Sequence, residues 1–599
     1  MTPCLASRFV LDDHVLAVKA ASTASIAGLP REPLGLFTFT TGDPTRNHSL
    51  MDEGALLPWW TEPRHLNAFF RPISALTHVF DFRVWPQSAA LMHAHSLLWF
   101  AALLLVLAHV YRVIDAGASP LLCGLALLLY ALDDAHGATV GWIANRNAVV
   151  SATLALPALG AHHRWVAGGF RAGAWLAPAC IALGLCGGEG AICIVGYLAA
   201  YALCLDPRPL LARGLSLLPY AAVLFGHRLL YHALGLGSFG SSAYHDPLRE
   251  PIAFAHMLAY NLPVLLSAEL FVPVADLAFW GDVSGRGALW WWCIASLALL
   301  AWLASSVLRR DAHARFWTLG MLLAAVPLSA SVPGERLLLA LGFGGAPLLA
   351  RLFTELWRAA PAVSVAAGER DPGLVLGGRG SAVSGDRRAP ALPAARKLAT
   401  SLLVVLHLLA APFGLPVRAY ALEPLGRAID RLDAGLPTTP EVSQQTVIVL
   451  NAPVTILVSY LQVARAARHV ARPAHLYWLS SASSDTSITR VDRRTLRVEQ
   501  ARGFLLRPEE TFYRADPVSL PVGAQVTLSD MRVRVVTALP DGRPKSADFV
   551  FAEPLESARY LFRIYQAGQL VAWQPPAAGG NLRLPAHDFF RIVAQEAWR

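Results

Sequence analysis

Ten apolar runs, most of them near the length needed to cross a lipid bilayer, constrain this chain more than any other feature. They lie at 89–112, 118–132, 147–163, 174–187, 190–205, 214–234, 287–308, 316–331, 337–356 and 399–417. A helix spans the hydrocarbon core with about 20 residues. Only helices and closed barrels satisfy every backbone polar group there. The shorter runs are therefore expected to extend into flanking polar residues. Composition agrees: 55% of residues are hydrophobic, only 15% are charged, and mean hydropathy is +0.44. A soluble domain carries about 25% charged residues. Disorder is excluded and a soluble multidomain enzyme is disfavoured. The expected fold is a polytopic α-helical membrane protein of about ten transmembrane helices, carrying a C-terminal extracytoplasmic β-rich α+β domain.

Basic residues set the expected orientation, because cytoplasmic loops retain them. Arg112, Arg164, Arg171, Arg208, Arg213, Arg309, Arg310 and Arg315 fall on alternate connections. The long connection at 357–398 adds six more Arg, among them Arg387 and Arg388, and Lys397. The opposite connections hold only Arg146, Arg249, Arg286 and Arg336. The first set is expected inside. The N-terminal region, the loop at 133–146 and the C-terminal region are then outside. The apolar stretch Pro251–Pro273 fits this alternation only as a re-entrant or interfacial helix or a helical hairpin. The net charge of +9 is thus a topological signal, and no nucleic-acid partner is expected. The Arg and Ala bias suits a GC-rich bacterial genome, and the expected location is the inner membrane. Met1 to Arg8 is too short and polar for a cleavable signal peptide. Six of the seven cysteines lie in or beside apolar runs, with no disulfide or zinc spacing.

Four regions follow: an outer segment at 1–88, a transmembrane domain at 89–417, a flexible cytoplasmic linker at 357–398 within it, and a β-rich outer domain at 440–599. Alternating runs at Thr446–Leu450, Leu476–Leu479, Ser487–Val491, Gln525–Leu528, Arg532–Val536 and Asp548–Phe551 are the expected strands. A helix carrying Tyr460, Val463 and Ala467 is expected after the first. The domain lacks cysteine and is expected to fold alone. Trp59, Trp60, Trp291 and Trp292 have the character of an interfacial aromatic belt.

Asp12 and Asp13 form a carboxylate pair at the expected outer surface. Such a pair can divide labour, one accepting a proton and the other orienting a phosphate or metal. The plain alternative is a helix cap with an acidic first turn. Arg71, before Pro72, can grip a lipid phosphate bidentately or merely anchor a helix start at the headgroups. Arg146 lies on the side where positive charge is scarce, which asks for an anionic partner such as a lipid head or Glu189. Glu189 sits in the Gly-rich turn Gly187-Gly188-Glu189-Gly190, paired or at a helix N-terminus. His93 and His95 open a span. Asp133, Asp134 and His136 have the residue types of a divalent-metal site without diagnostic spacing, and a solvated loop is the commoner outcome.

In order along the chain come Asp12-Asp13, Phe70-Arg71-Pro72, Leu91-Met92-His93, Asn145-Arg146-Asn147 and Gly188-Glu189. This order resembles the GT-C superfamily of polytopic glycosyltransferases, most closely the transmembrane O-mannosyltransferases that in animals carry tetratricopeptide repeats. The match covers roughly residues 9–205. In the family a span precedes the Asp pair, whereas 11 residues precede Asp12 here, by a truncated start or a lost first helix; Gly188 replaces a lysine, and the repeats are absent. The resemblance implies a polyprenyl-phosphate sugar donor reached from the membrane lipids, and a protein, lipid or polysaccharide acceptor. Asp12 and Asp13 would be the catalytic carboxylates. Arg71 and Arg146 would bind the donor phosphate, with His93 and Glu189 in support. A membrane transporter or lipid-handling protein, and an inactive envelope scaffold, are the rivals. Convergence of Asp12, Asp13, Arg71 and Glu189 on one outer cavity, rather than a midplane site, separates the first rival from the transferase.

Overall fold

The computed structural model describes residues 1–21, 25–32, 34–272, 275–280, 285–358, 393–587 and 592. The core of the expected linker, 359–392, lies outside the described residues.

Every apolar run became helix. Among the described residues five helices are long and apolar enough to cross a membrane: Ala89–Ile114, Leu210–Ala233, Pro251–Leu270, Arg286–Arg310 and Ala394–Ala434. Pro120–Leu132, Gly173–Gly187 and Glu189–Cys204 are apolar but shorter. The long helices turn large apolar side chains outward: Leu105 is 75% exposed and Phe225 65%. A face of that kind needs an apolar solvent. Trp291 and Trp292 are exposed at the start of Arg286–Arg310, as a belt requires.

Pro251–Leu270 is one unbroken helix, which excludes a hairpin within it. Asn261 donates to the carbonyls of Ser329 and Ser331 at 3.1 and 2.8 Å. Beyond the helix, Asp276 accepts from the Glu335 amide at 3.1 Å. The middle of this helix and the residues beyond its C-terminus thus meet the same stretch, 329–335.

The connections expected to be outside gather at one end. The outer segment's strands β1 (Thr38–Thr41) and β2 (Leu66–Ala68) form an antiparallel sheet with β3 (Gly237–Phe239) from the connection after Leu210–Ala233. Tyr244 bridges Ser331. The Ala144 amide donates to Asp13 at 2.8 Å, Arg71 meets Glu189 at 2.8 Å, and Arg418 meets Asp134 at 2.8 Å. The Arg-rich connections have their own ties: Arg351 holds Asp115 at 2.7 Å and Asp311 at 2.8 Å.

The C-terminal region is β-rich. A parallel core pairs β4 (Thr446–Ala452) with β5 (His475–Ser481) and with β11 (Tyr560–Gln566), and β12 (Gln569–Ala572) closes its edge. Two short helices, Thr455–Ser459 and Leu461–Ala467, make the crossover from β4 to β5. A parallel strand pair needs such a connection. The second sheet is antiparallel, ordered β13 (Asn581–Leu584), β6 (Thr486–Arg490), β7 (Thr495–Gln500), β10 (Pro544–Phe551), β9 (Met531–Ala538), β8 (Gln525–Thr527). All six expected strands are present. Strands β7, β11, β12 and β13 were not foreseen.

Two expectations are corrected here. Trp59 and Trp60 are not belt residues: they are 4% and 2% exposed, inside the core of the C-terminal region. Their indole N–H groups donate to the carbonyls of Leu479 and Glu510 at 3.1 and 3.2 Å. A tryptophan with its N–H satisfied is as content in a core as at an interface. The β-rich domain also does not begin at 440 as a separate body. Its core includes Val10, Val15, Leu50 and Met51 of the outer segment, and Leu425, Ile429 and Leu432 of helix Glu423–Ala434.

Candidate functional site

A cavity of about 1110 Å³ lies where the outer segment, the C-terminal region and the helices meet. Its lower wall is apolar, built from residues such as Ile192, Val195, Leu224, Leu323, Leu328 and Leu339. Its other end is polar, with Asp12, Arg71, Glu189, Tyr231, Arg336 and Tyr460. The wall reaches Leu248, which is 73% exposed, on the connection between Leu210–Ala233 and Pro251–Leu270. The cavity therefore has an edge at the outer surface of the bundle.

Asp12 opens helix Asp12–Ala21. The residue before it, Leu11, has φ 49°, in the left-handed region. For a leucine that conformation costs about 1–3 kcal/mol, and such strain persists only where the surroundings hold it. Leu11 and Asp12 both line the cavity. The Tyr460 hydroxyl donates to Asp12 Oδ1. Burial pushes the Asp12 pKa above the usual carboxylate range, while the Tyr460 hydrogen bond and the charges of Arg336 and Arg71 pull it back. A carboxylate so placed is a stronger base than one in water.

Asp13 turns the other way and does not line the cavity. Its oxygens accept from the Val10 and Ala144 amides at 2.9 and 2.8 Å. This carboxyl ties the outer segment to the 133–147 connection. Burial first, opposed by those two amides, leaves its pKa raised to about 7.

Arg71 lies in the cavity wall, paired with Glu189 at 2.8 Å and set over the rings of Phe69 and Phe37 at 4.4 and 5.0 Å. Tyr231 donates to Glu189 and accepts from the Phe70 amide at 3.0 Å. Asn147, with its amide oxygen turned toward Arg71, accepts from Nη1 at 3.2 Å.

Arg146 is a correction. It is fully buried, does not line the cavity, and pairs with Asp81 at 2.5 Å rather than with Glu189 or a lipid head. It also donates to Ser96 Oγ at 2.9 Å and the Met92 carbonyl at 2.7 Å. These contacts join helices Pro72–Val84, Ala89–Ile114 and Arg146–Ala155. His95 Nδ1 donates to Asp81 Oδ1 at 2.7 Å. Ser74, Thr77 and Asp81 recur at helical spacing on an apolar helix, a polar stripe that could have announced the partner. Arg146→Gln is expected to cost about 3–5 kcal/mol in stability, because Asp81 loses its counter-charge in a dry site. Thermal melting checks this, and a variant that melts like wild type would refute the pairing.

His93 is buried and away from the cavity wall. Asp133, Asp134 and His136 each take a separate partner. Asp133 accepts from the Ala135 amide at 2.9 Å, Asp134 pairs with Arg418, and His136 Nδ1 faces the Tyr130 carbonyl at 2.9 Å. Among the described residues no three His, Cys, Asp or Glu side chains gather as metal ligands. Arg336, Tyr231, Tyr244 and Tyr460 were missed as site residues. For Arg336 a signal existed: it is one of few Arg on the Arg-poor side.

Compared with protein-family models, curated proteins and solved structures, the chain matches none.

Proposed function

We propose that this chain is an integral membrane glycosyltransferase that moves a sugar from a polyprenyl-phosphate donor to an acceptor at the outer face of the inner membrane. The observation that carries this is the single cavity joining an apolar wall to Asp12, Arg71 and Glu189. An amphiphile with a long apolar chain and an anionic head is the ligand such a surface suits. Three of the four residues expected to converge do so, Asp13 being the exception. In the mechanism, Asp12 takes the proton of an acceptor hydroxyl. The freed oxygen bonds to the anomeric carbon from the face opposite the phosphate. The carbon–oxygen bond to phosphate breaks, and its electron pair leaves on the phosphate, where guanidinium charge stabilises it. Configuration inverts. Transfer of labelled sugar from a short polyprenyl-phosphate donor by purified full-length protein tests this. A protein that binds the donor but transfers nothing is lipid-handling instead.

The accompanying topology has ten crossings, with Pro251–Leu270 re-entrant and both the outer segment and the C-terminal region extracytoplasmic. Its support is the shared core of those two regions, which requires an even number of crossings between them. Reporter fusions ending at Gly117 and at Gly235 are expected on opposite sides, the first cytoplasmic. The same side for both would overturn the topology.

A further inference from the structure

Three arginines line the cavity: Arg71, Arg228 and Arg336. Two are neutralised. Arg71 holds Glu189, and Arg228 holds Asp246 at 2.7 Å. Arg336 makes no ion pair within 4 Å among the described residues. Its Nη2 donates only to the Tyr244 hydroxyl at 3.3 Å and Ser331 Oγ at 3.4 Å. The carboxylates nearest in influence, Asp12 and Asp276, hold its charge from a distance without touching it; Asp12 accepts from Tyr460 and Asp276 from the Glu335 amide. Its Nε and Nη1 donate to nothing among the described residues, so guanidinium donors on the cavity wall are open to an anion.

The surroundings hold it in place. The neighbouring Glu335 is tied to Arg418. The loop bearing Tyr244 bridges Ser331 and is gripped by the C-terminal region. The Ser242 amide donates to the Thr511 carbonyl at 3.1 Å, and the Ala515 amide to the Gly240 carbonyl at 3.0 Å. Nothing comparable is free on Arg71, whose Nε and Nη2 face Glu189 and whose Nη1 faces Asn147.

We propose that Arg336, oriented by Tyr244 and Ser331, is an anion subsite that takes the phosphate head of an isoprenoid lipid whose chain lies along the apolar wall. Guanidinium binds phosphate through two parallel N–H donors, which an ammonium cannot reproduce. The lipid source rests on the donor reading above; the anion subsite does not.

The test is titration of purified full-length protein with farnesyl phosphate, farnesol and inorganic phosphate. Arg336→Gln is expected to weaken farnesyl phosphate about tenfold or more, with farnesol unchanged. Arg336→Lys should fall between the two. Should Arg336→Gln melt too low to titrate, Tyr244→Phe with Ser331→Ala is expected to weaken farnesyl phosphate about threefold or more through lost orientation. Farnesyl phosphate bound equally by wild type and these variants overturns the subsite. Inorganic phosphate bound as tightly as farnesyl phosphate overturns the lipid source. Loss of binding in Arg336→Gln, in a protein that transfers no sugar, supports the subsite and sinks the transferase instead.

Discussion

Asp12→Asn is expected to lower sugar transfer by about 10²–10⁴-fold, the usual worth of a positioned general base, while leaving farnesyl phosphate binding and thermal stability close to wild type. Asparagine keeps the size and can still accept from Tyr460, but it cannot take a proton. Asp13→Asn should do the reverse. One of its two oxygens becomes an N–H donor facing a backbone N–H, so a bond to Val10 or Ala144 is lost in a buried site, at about 1–3 kcal/mol. The two variants separate chemistry from structure within one dipeptide. Equal transfer by Asp12→Asn and wild type would reduce Asp12 to a helix-start residue. The Asp13 effect also carries a pH signature. Its pKa is raised to about 7 from an ordinary 3.8. The stability its protonated form lends is complete below pH 4 and lost as pH rises through 7. The melting advantage of wild type over Asp13→Asn should therefore shrink between pH 5 and pH 8.

A fragment covering only 440–599 is expected to fail to melt cooperatively. It lacks Trp59 and Trp60, whose rings pack against Phe504, Phe549 and Trp478, and it lacks Leu425, Ile429 and Leu432. Removing one such tryptophan by Trp60→Ala is worth about 3–5 kcal/mol, a large part of a domain's net stability. A soluble chain joining 1–68 to 420–599 through a flexible linker should recover a single transition in circular dichroism. Cooperative melting of 440–599 by itself would show that the shared core is dispensable.

How much of this was legible beforehand follows from the range of the forces involved. Apolar length and periodicity are local properties, so the helices from Ala89 to Ala419 and the strands at Thr446, His475, Thr486 and Met531 could be read from the residues. Arginine placement, also local, gave each connection an expected side. The candidate site was half legible: Asp12, Arg71 and Glu189 were singled out, and they do share a cavity. The division of labour inside Asp12-Asp13 was not, because the turn at Leu11 decides which carboxyl faces inward. Nor was the exchange of partners, Arg71 with Glu189 and Arg146 with Asp81. A buried charge takes whichever counter-charge packing brings within about 4 Å, and no spacing in the chain announces it. Trp59 and Trp60 suited membrane interface and protein core equally by chemistry. Only the docking of the outer segment on a sheet some 390 residues further along chose between them, and that same docking brought Tyr460 to Asp12 and clamped the loop beside Arg336.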